Sequence, residues 1–184
     1  MALNKQDLIN GFCKAGINKG DEIEVHSSLS SFGYVDGGAE TVISALKETV
    51  GDNGSIFIPA LRLSPELPLT EEDKKAGITS KIKILPENRT HSAMGIIADT
   101  FRMMPDTVTG DGIFAVSGWV RNANEAGEPP VKPWYSIQAQ AYEKGLIREG
   151  YIGSCKYMCF GIRDVVGLYR QALETDPPGL YGLR

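Results

Sequence analysis

Four serines crowd into "VHSSLSSFGYVDGG", residues 25–38, directly behind a histidine. Ser27, Ser28, Ser30 and Ser31 follow His26, and Gly37-Gly38 marks a helix start just beyond. Hydroxyls and backbone N–H groups in such a turn can cradle an anion or an amide-rich ligand such as coenzyme A, and a helix start adds partial positive charge. The plain alternative is a polar loop whose serines cap turns, and spacing alone leaves both readings open. His26 is a candidate base or a histidine satisfied at a strand end. His91 precedes a helix, where an exposed first-turn position is the simplest reading. Asp111 sits in the bare turn Gly110-Asp111-Gly112. The sequence has no G-x-S-x-G elbow, Walker loop or H-E-x-x-H motif. A Ser–His hydrolase built on Ser27 or Ser28 with His26 conflicts with strand alternation, because adjacent residues point to opposite faces.

Cys155 and Cys159 are too few to hold zinc alone, and both histidines are distant in sequence, so structural thiols and no metal are expected. Three cysteines with no secretory signal fit a reducing, cytoplasmic setting. A net charge of −4 argues against a nucleic-acid binder, which needs a basic face. No apolar run approaches a membrane span. Lys74, Lys75, Lys81 and Lys83 could meet phosphates, but a solvated charged loop is the default for such a run.

The elements that must position these groups follow from periodicity. Leu8, Ile9, Phe12 and Cys13 share a stripe, which predicts a helix over 3–17. "DEIEVH" alternates as a strand. Val42, Ile43, Leu46 and Val50 predict a helix ending at Gly51, and "SIFIP" a second strand. Two strands joined by a helix favour a parallel pair. Residues 61–87, rich in proline and charge, read as a long excursion with a hairpin strand at "KIKIL". Met94, Ile97, Ala98 and Phe101 predict a helix capped by Thr90 or Ser92 and stopped at Pro105. A strand at "GIFAVSGW", a helix over 134–146, two short strands within "REGYIGSCKYMCFGI" and a helix over 163–174 complete the chain. That last helix is expected to turn Val166, Tyr169, Ala172 and Leu173 inward. The order predicts one α/β domain over 1–184, a layered α/β/α arrangement with a mixed sheet flanked by helices. In such folds the loops after the strands build the ligand site.

Three landmarks resemble the aminoglycoside 3-N-acetyltransferase family, and together they cover most of the chain. The first is "VHSSLSSFGYVDGGAETVISALKETVGDNGSIFIPAL". The second is "THSAMGIIADTFRMMP". The third, "GYIGSCKYMCFGIRDVVGLYRQALETDPPGL", looks like the family's C-terminal strand pair and helix. The resemblance implies an acetyl-coenzyme A-dependent N-acetyltransferase of an antibiotic N-acetyltransferase-like fold. Acetyl-coenzyme A would be its co-substrate, and an amine of an aminoglycoside or similar amino-sugar the acceptor. It further implies that coenzyme A lies against Ser27, Ser28, Leu29, Ser30 and Ser31, and against the turn at Ser92, Met94 and Gly95. A homodimer is the candidate assembly, and antibiotic resistance the implied role.

The chain departs from the family pattern over 120–133, where members carry a further strand and a motif with the active-site histidine. Neither His26 nor His91 matches that residue. The catalytic base is therefore unassigned, with His26 and Asp111 as its candidates. Two alternatives stay open: a non-catalytic coenzyme A-binding protein of the same fold, and an acyltransferase for another amine.

Overall fold

The computed structural model describes residues 2–61, 63–78, 81–86, 88, 91–109 and 133–180. Helix α1 is Lys5–Lys14, opened by a capping box in which the Asn4 side chain accepts the Asp7 N–H and the Asp7 carboxylate accepts the Asn4 N–H. Leu8 and Phe12 are buried, whereas Cys13, expected on the same stripe, is exposed. Strand β1, Glu22–Glu24, is followed by a 3-10 turn at Leu29–Phe32 and by helix α2, Gly38–Val50. Val42, Ile43, Leu46 and Val50 are all buried, as their spacing predicted. Gly51, at φ 65°, supplies the left-handed conformation that ends α2.

Strand β2, Ser55–Phe57, pairs with β1 in parallel, Ile23 opposite Ile56. This is the helix-linked parallel pair that the sequence order favours. Around it, Leu8, Phe12, Val42, Ile43, Leu46, Ile97 and Ile152 form one core, with Ile23, Val25 and Ile56 packed against it.

The excursion holds a short helix, α3, Glu71–Lys75, that the sequence did not announce. The hairpin expected at "KIKIL" is reduced to one bridge, Leu63 to Ile84, and two flanking bonds, Ser64 N–H to Lys83 O and Leu67 N–H to Lys81 O. Helix α4 is Ile96–Arg102. Its cap is Gly95, with no side-chain cap, so Ser92 is not the N-cap; its hydroxyl accepts the Met94 N–H just before the helix. Thr90 and the strand expected at 113–119 lie outside the described residues.

Helix α5, Pro133–Glu143, precedes strands β3, Arg148–Ile152, and β4, Cys155–Cys159. The two-residue connection Gly153-Ser154 makes β3 and β4 a hairpin. Helix α6, Ile162–Thr175, and the single turn α7, Pro177–Leu180, close the described chain. The described strands thus make two two-stranded sheets among helices, and the fold is α/β.

The chain divides into two units, Met1–Thr109 with Tyr151–Tyr157, and Gly110–Gly150 with Met158–Arg184. The second has its own core of Ile137, Ala141, Leu168 and Leu180, with Val165, Tyr169 and Ala172 against it. The inward stripe of α6 is therefore displaced by one residue from the expected one: Val166 and Leu173 are exposed.

Candidate functional site

The parallel pair opens at its carboxyl end into a pocket of about 170 Å³. Val25, His26 and Ser27 border it beyond β1, and Ile58 and Pro59 beyond β2. Ala93 and Met94 come from the turn before α4, and Ala98 from α4 itself. A crevice at the carboxyl ends of parallel strands is where an α/β sheet presents ligands to its loops. Among the described residues the wall is apolar except for His26 and Ser27.

Ser27 Oγ is shut off from solvent and has no hydrogen-bond partner among the described residues. A buried hydroxyl without a partner is costly unless a ligand completes it. The rest of the serine cluster is arranged differently. Ser28 and Ser30 are exposed and bond to each other, Oγ to Oγ at 2.9 Å. Leu29 packs against the core. The Ser31 carbonyl accepts the Ser154 hydroxyl at 2.8 Å, which ties the β3–β4 turn to the 3-10 turn.

His26 Nε2 lies 2.9 Å from Glu24 Oε1. The pairing follows from the strand period of two, which sets residues 24 and 26 on one face. His26 and Ser27 both border the pocket, yet Ser27 Oγ bonds to neither ring nitrogen, so they are not a nucleophile–base couple.

The second turn is held from below. Asp99, buried in α4, accepts the Ser92 N–H through Oδ2, and the Ala93 N–H donates to Leu63 O at the foot of the excursion. Ser92 and Gly95 shape this turn, and Met94 is its pocket-facing member. Neither Asp99 nor the partnership of Glu24 with His26 was singled out from sequence. The second was legible in the i, i+2 spacing, whereas the first needed the tertiary fold.

The remaining candidates do not meet at the pocket. His91 is exposed and outside its lining, and Asp111 lies outside the described residues. Lys74 pairs with Glu71, and Lys81 with Asp73, so both are engaged within the excursion. Burial raises the Cys155 thiol above its ordinary pKa, as suits an inert packing thiol.

Residues 25–128 match the family described as aminoglycoside 3-N-acetyltransferase. The chain belongs to this family. Aminoglycoside N(3)-acetyltransferase III of Salmonella sp is 51% identical over 44 residues, which are 24% of this chain and 15% of that protein. The aligned segment is thus a small part of that relative's length. Among solved structures, a mutant of AAC(3)-IVa in complex with apramycin superposes at a TM-score of 0.64, with 17% identity over 97% of this chain and 96% of its own. AAC-IIIb in a binary complex with CoASH superposes at 0.63, with 15% identity over 95% and 97%. At these identities the superpositions establish the shared fold. No helix among the described residues is long and apolar enough to cross a membrane.

Proposed function

We propose that this chain is an acetyl-coenzyme A-dependent N-acetyltransferase acting on an amine of an aminoglycoside or a related amino-sugar. The observation that carries this reading is the unpartnered Ser27 hydroxyl at a pocket at the strand ends whose other lining residues, His26 apart, are apolar. A narrow wall of Val25, Ile58, Pro59, Met94 and Ala98 suits the thioester arm, whose amides seek isolated hydrogen-bond partners. In this reading the pocket of about 170 Å³ receives the thioester end of that arm, with the nucleotide outside it.

In this reading Ser27, Ser28, Leu29, Ser30 and Ser31 form one bank of the coenzyme A path, and Ser92, Met94 and Gly95 the other. The exposed carboxylates of Glu22 and Glu24 on β1 favour a cationic acceptor. Acetylation of an antibiotic amine would confer resistance, and the cytoplasm would supply the acetyl donor.

The test is mass spectrometry of an aminoglycoside panel incubated with acetyl-coenzyme A and the protein. Gain of one acetyl group on a panel member supports the proposal. Coenzyme A binding without any acetyl gain replaces it with a binding protein, and acetylation of simple amines alone replaces the acceptor class.

A further inference from the structure

The serine turn has little of its own to hold it. Ser28 opens the 3-10 turn without a side-chain cap, and its hydroxyl bonds to Ser30 instead. The Ser31 N–H donates to Ser28 O and the Gly33 N–H to Ser30 O. Bonds of this i, i+3 kind have poorer geometry than those of an α-helix, so one isolated turn of them is a weak frame. Gly33 then leaves the turn at φ 81°, a conformation that glycine adopts without strain.

Firmer contacts come from elsewhere in the chain. Leu3 donates its N–H to Tyr34 O and accepts the Asp36 N–H, which makes a single parallel bridge to Val35. That grip lies behind the serines. Ser154, in the turn of the β3–β4 hairpin, grips the serines themselves: its hydroxyl donates to Ser31 O at 2.8 Å, across 123 residues of sequence. Two glycines allow the approach. A Cβ on Gly153 would lie 2.9 Å from Phe32 O, and one on Gly33 would lie 3.2 Å from Ser154 Oγ. Residues 151–157 belong to the same unit as residues 1–109.

Resting on the acyltransferase reading above, we propose that Ser154 is a positioning residue for coenzyme A, acting through Ser31 and not on the ligand. The peptide group is planar, so anchoring the Ser31 carbonyl fixes the whole Ser31–Phe32 peptide. It thereby fixes the rotation of the turn that carries Ser28 and Ser30. A turn already set in place meets its ligand without the ordering cost that a loose one pays on binding. Removal of the anchor therefore shows in affinity.

The test compares the full chain with Ser154→Ala and Ser154→Thr in three measurements: acetyl-coenzyme A affinity by calorimetry, amide hydrogen exchange over residues 28–33, and the thermal melt. Ser154→Ala should speed exchange at Ser31 and Gly33. It should also weaken acetyl-coenzyme A binding by roughly twofold to thirteenfold, the worth of one net hydrogen bond. Its melt should stay near that of the wild type, because Ser154 is exposed. Ser154→Thr keeps the hydroxyl and should restore both exchange and affinity. Unchanged exchange in Ser154→Ala overturns the proposal, because the turn then holds without the anchor. Faster exchange with unchanged affinity also overturns it, because the anchor then serves the fold alone. So does a loss of affinity that follows a lowered melt and that threonine does not repair. A wild-type chain that binds no acetyl-coenzyme A removes the acyltransferase reading itself, and the role of Ser154 with it.

Discussion

Asp99 Oδ2 accepts the backbone N–H of Ser92 at 2.6 Å, from a residue only 2% exposed. Its second oxygen has no hydrogen-bond partner among the described residues and lies 3.9 Å from the Arg102 guanidinium. A buried carboxylate spent on one backbone N–H fixes the turn that carries Met94 to the pocket. Asp99→Ala should cost ~1–3 kcal/mol, the range for leaving a buried hydrogen-bonding group unmatched. It should also speed amide hydrogen exchange at Ser92 and Met94. Unchanged exchange rates in the variant would mean that the turn holds without the carboxylate.

Helix α6 shows how far periodicity reaches. Val165, Leu168, Tyr169 and Ala172 face the core of their unit, whereas the sequence pointed to Val166, Tyr169, Ala172 and Leu173. Two apolar stripes overlap on this helix and share Tyr169 and Ala172, so the 3.6-residue period marks a helix without choosing its side. Packing among Ile137, Ala141 and Leu180 makes the choice, and those contacts are distant in sequence. Leu168→Ala should cost ~2–5 kcal/mol in a reversible denaturant melt. Leu173→Ala, at a position 37% exposed, should cost far less. Equal losses would place both stripes in a core.

The site was legible in proportion to how local its causes are. The parallel strands, the serine turn and the Ser92–Gly95 turn rest on alternation and glycine placement, which neighbours in sequence dictate. Asp99 reads from sequence as an ordinary acidic residue in a helix's first turn, favourable to the dipole. Only the path of the chain before α4 makes it the anchor of Ser92. The pocket's far wall, Ile58 and Pro59, reads as a strand end, and nothing local says that it faces Met94.

Gly153 turns the β3–β4 hairpin at φ 59°. A Cβ there would lie 2.6 Å from Leu3 Cδ1 and 2.9 Å from the Phe32 carbonyl oxygen. Both the left-handed backbone and the close approach exclude a side chain. Gly153→Ala should destabilise by ~1–3 kcal/mol. A melt that matches the wild type would show that the hairpin turn can shift without loss.

Asp73 pins the excursion. The Lys81 ammonium, first among the causes, and the Thr70 backbone N–H and hydroxyl hold its pKa down to about 2 from 3.8. Because the folded value is depressed, the pin contributes fully above pH 3.8 and is lost as the pH falls toward 2. Limited proteolysis by an acid-active protease should therefore cut within residues 63–84 increasingly over that window. Asp73→Asn should show the fast-cleavage limit already at about pH 5, above both values. Cleavage independent of pH in the wild type would remove the ion pair from the account of this loop.

Ser27 gives the sharpest test of the pocket, because binding and folding pull its hydroxyl in opposite directions. Its oxygen is buried and unpartnered among the described residues, and such a group costs the free protein ~1–3 kcal/mol. Ser27→Ala removes that cost, so the free variant should melt at the same temperature as the wild type or higher. A ligand amide that meets the hydroxyl gains a hydrogen bond worth ~0.5–1.5 kcal/mol, which is roughly a twofold to thirteenfold change in affinity. The same substitution should therefore weaken acetyl-coenzyme A binding by roughly that factor, read by calorimetry. Stability and affinity would then move apart in one variant, which a purely structural serine cannot do. A Ser27→Ala protein that melts lower and binds acetyl-coenzyme A unchanged would show that the hydroxyl serves the fold and not the ligand.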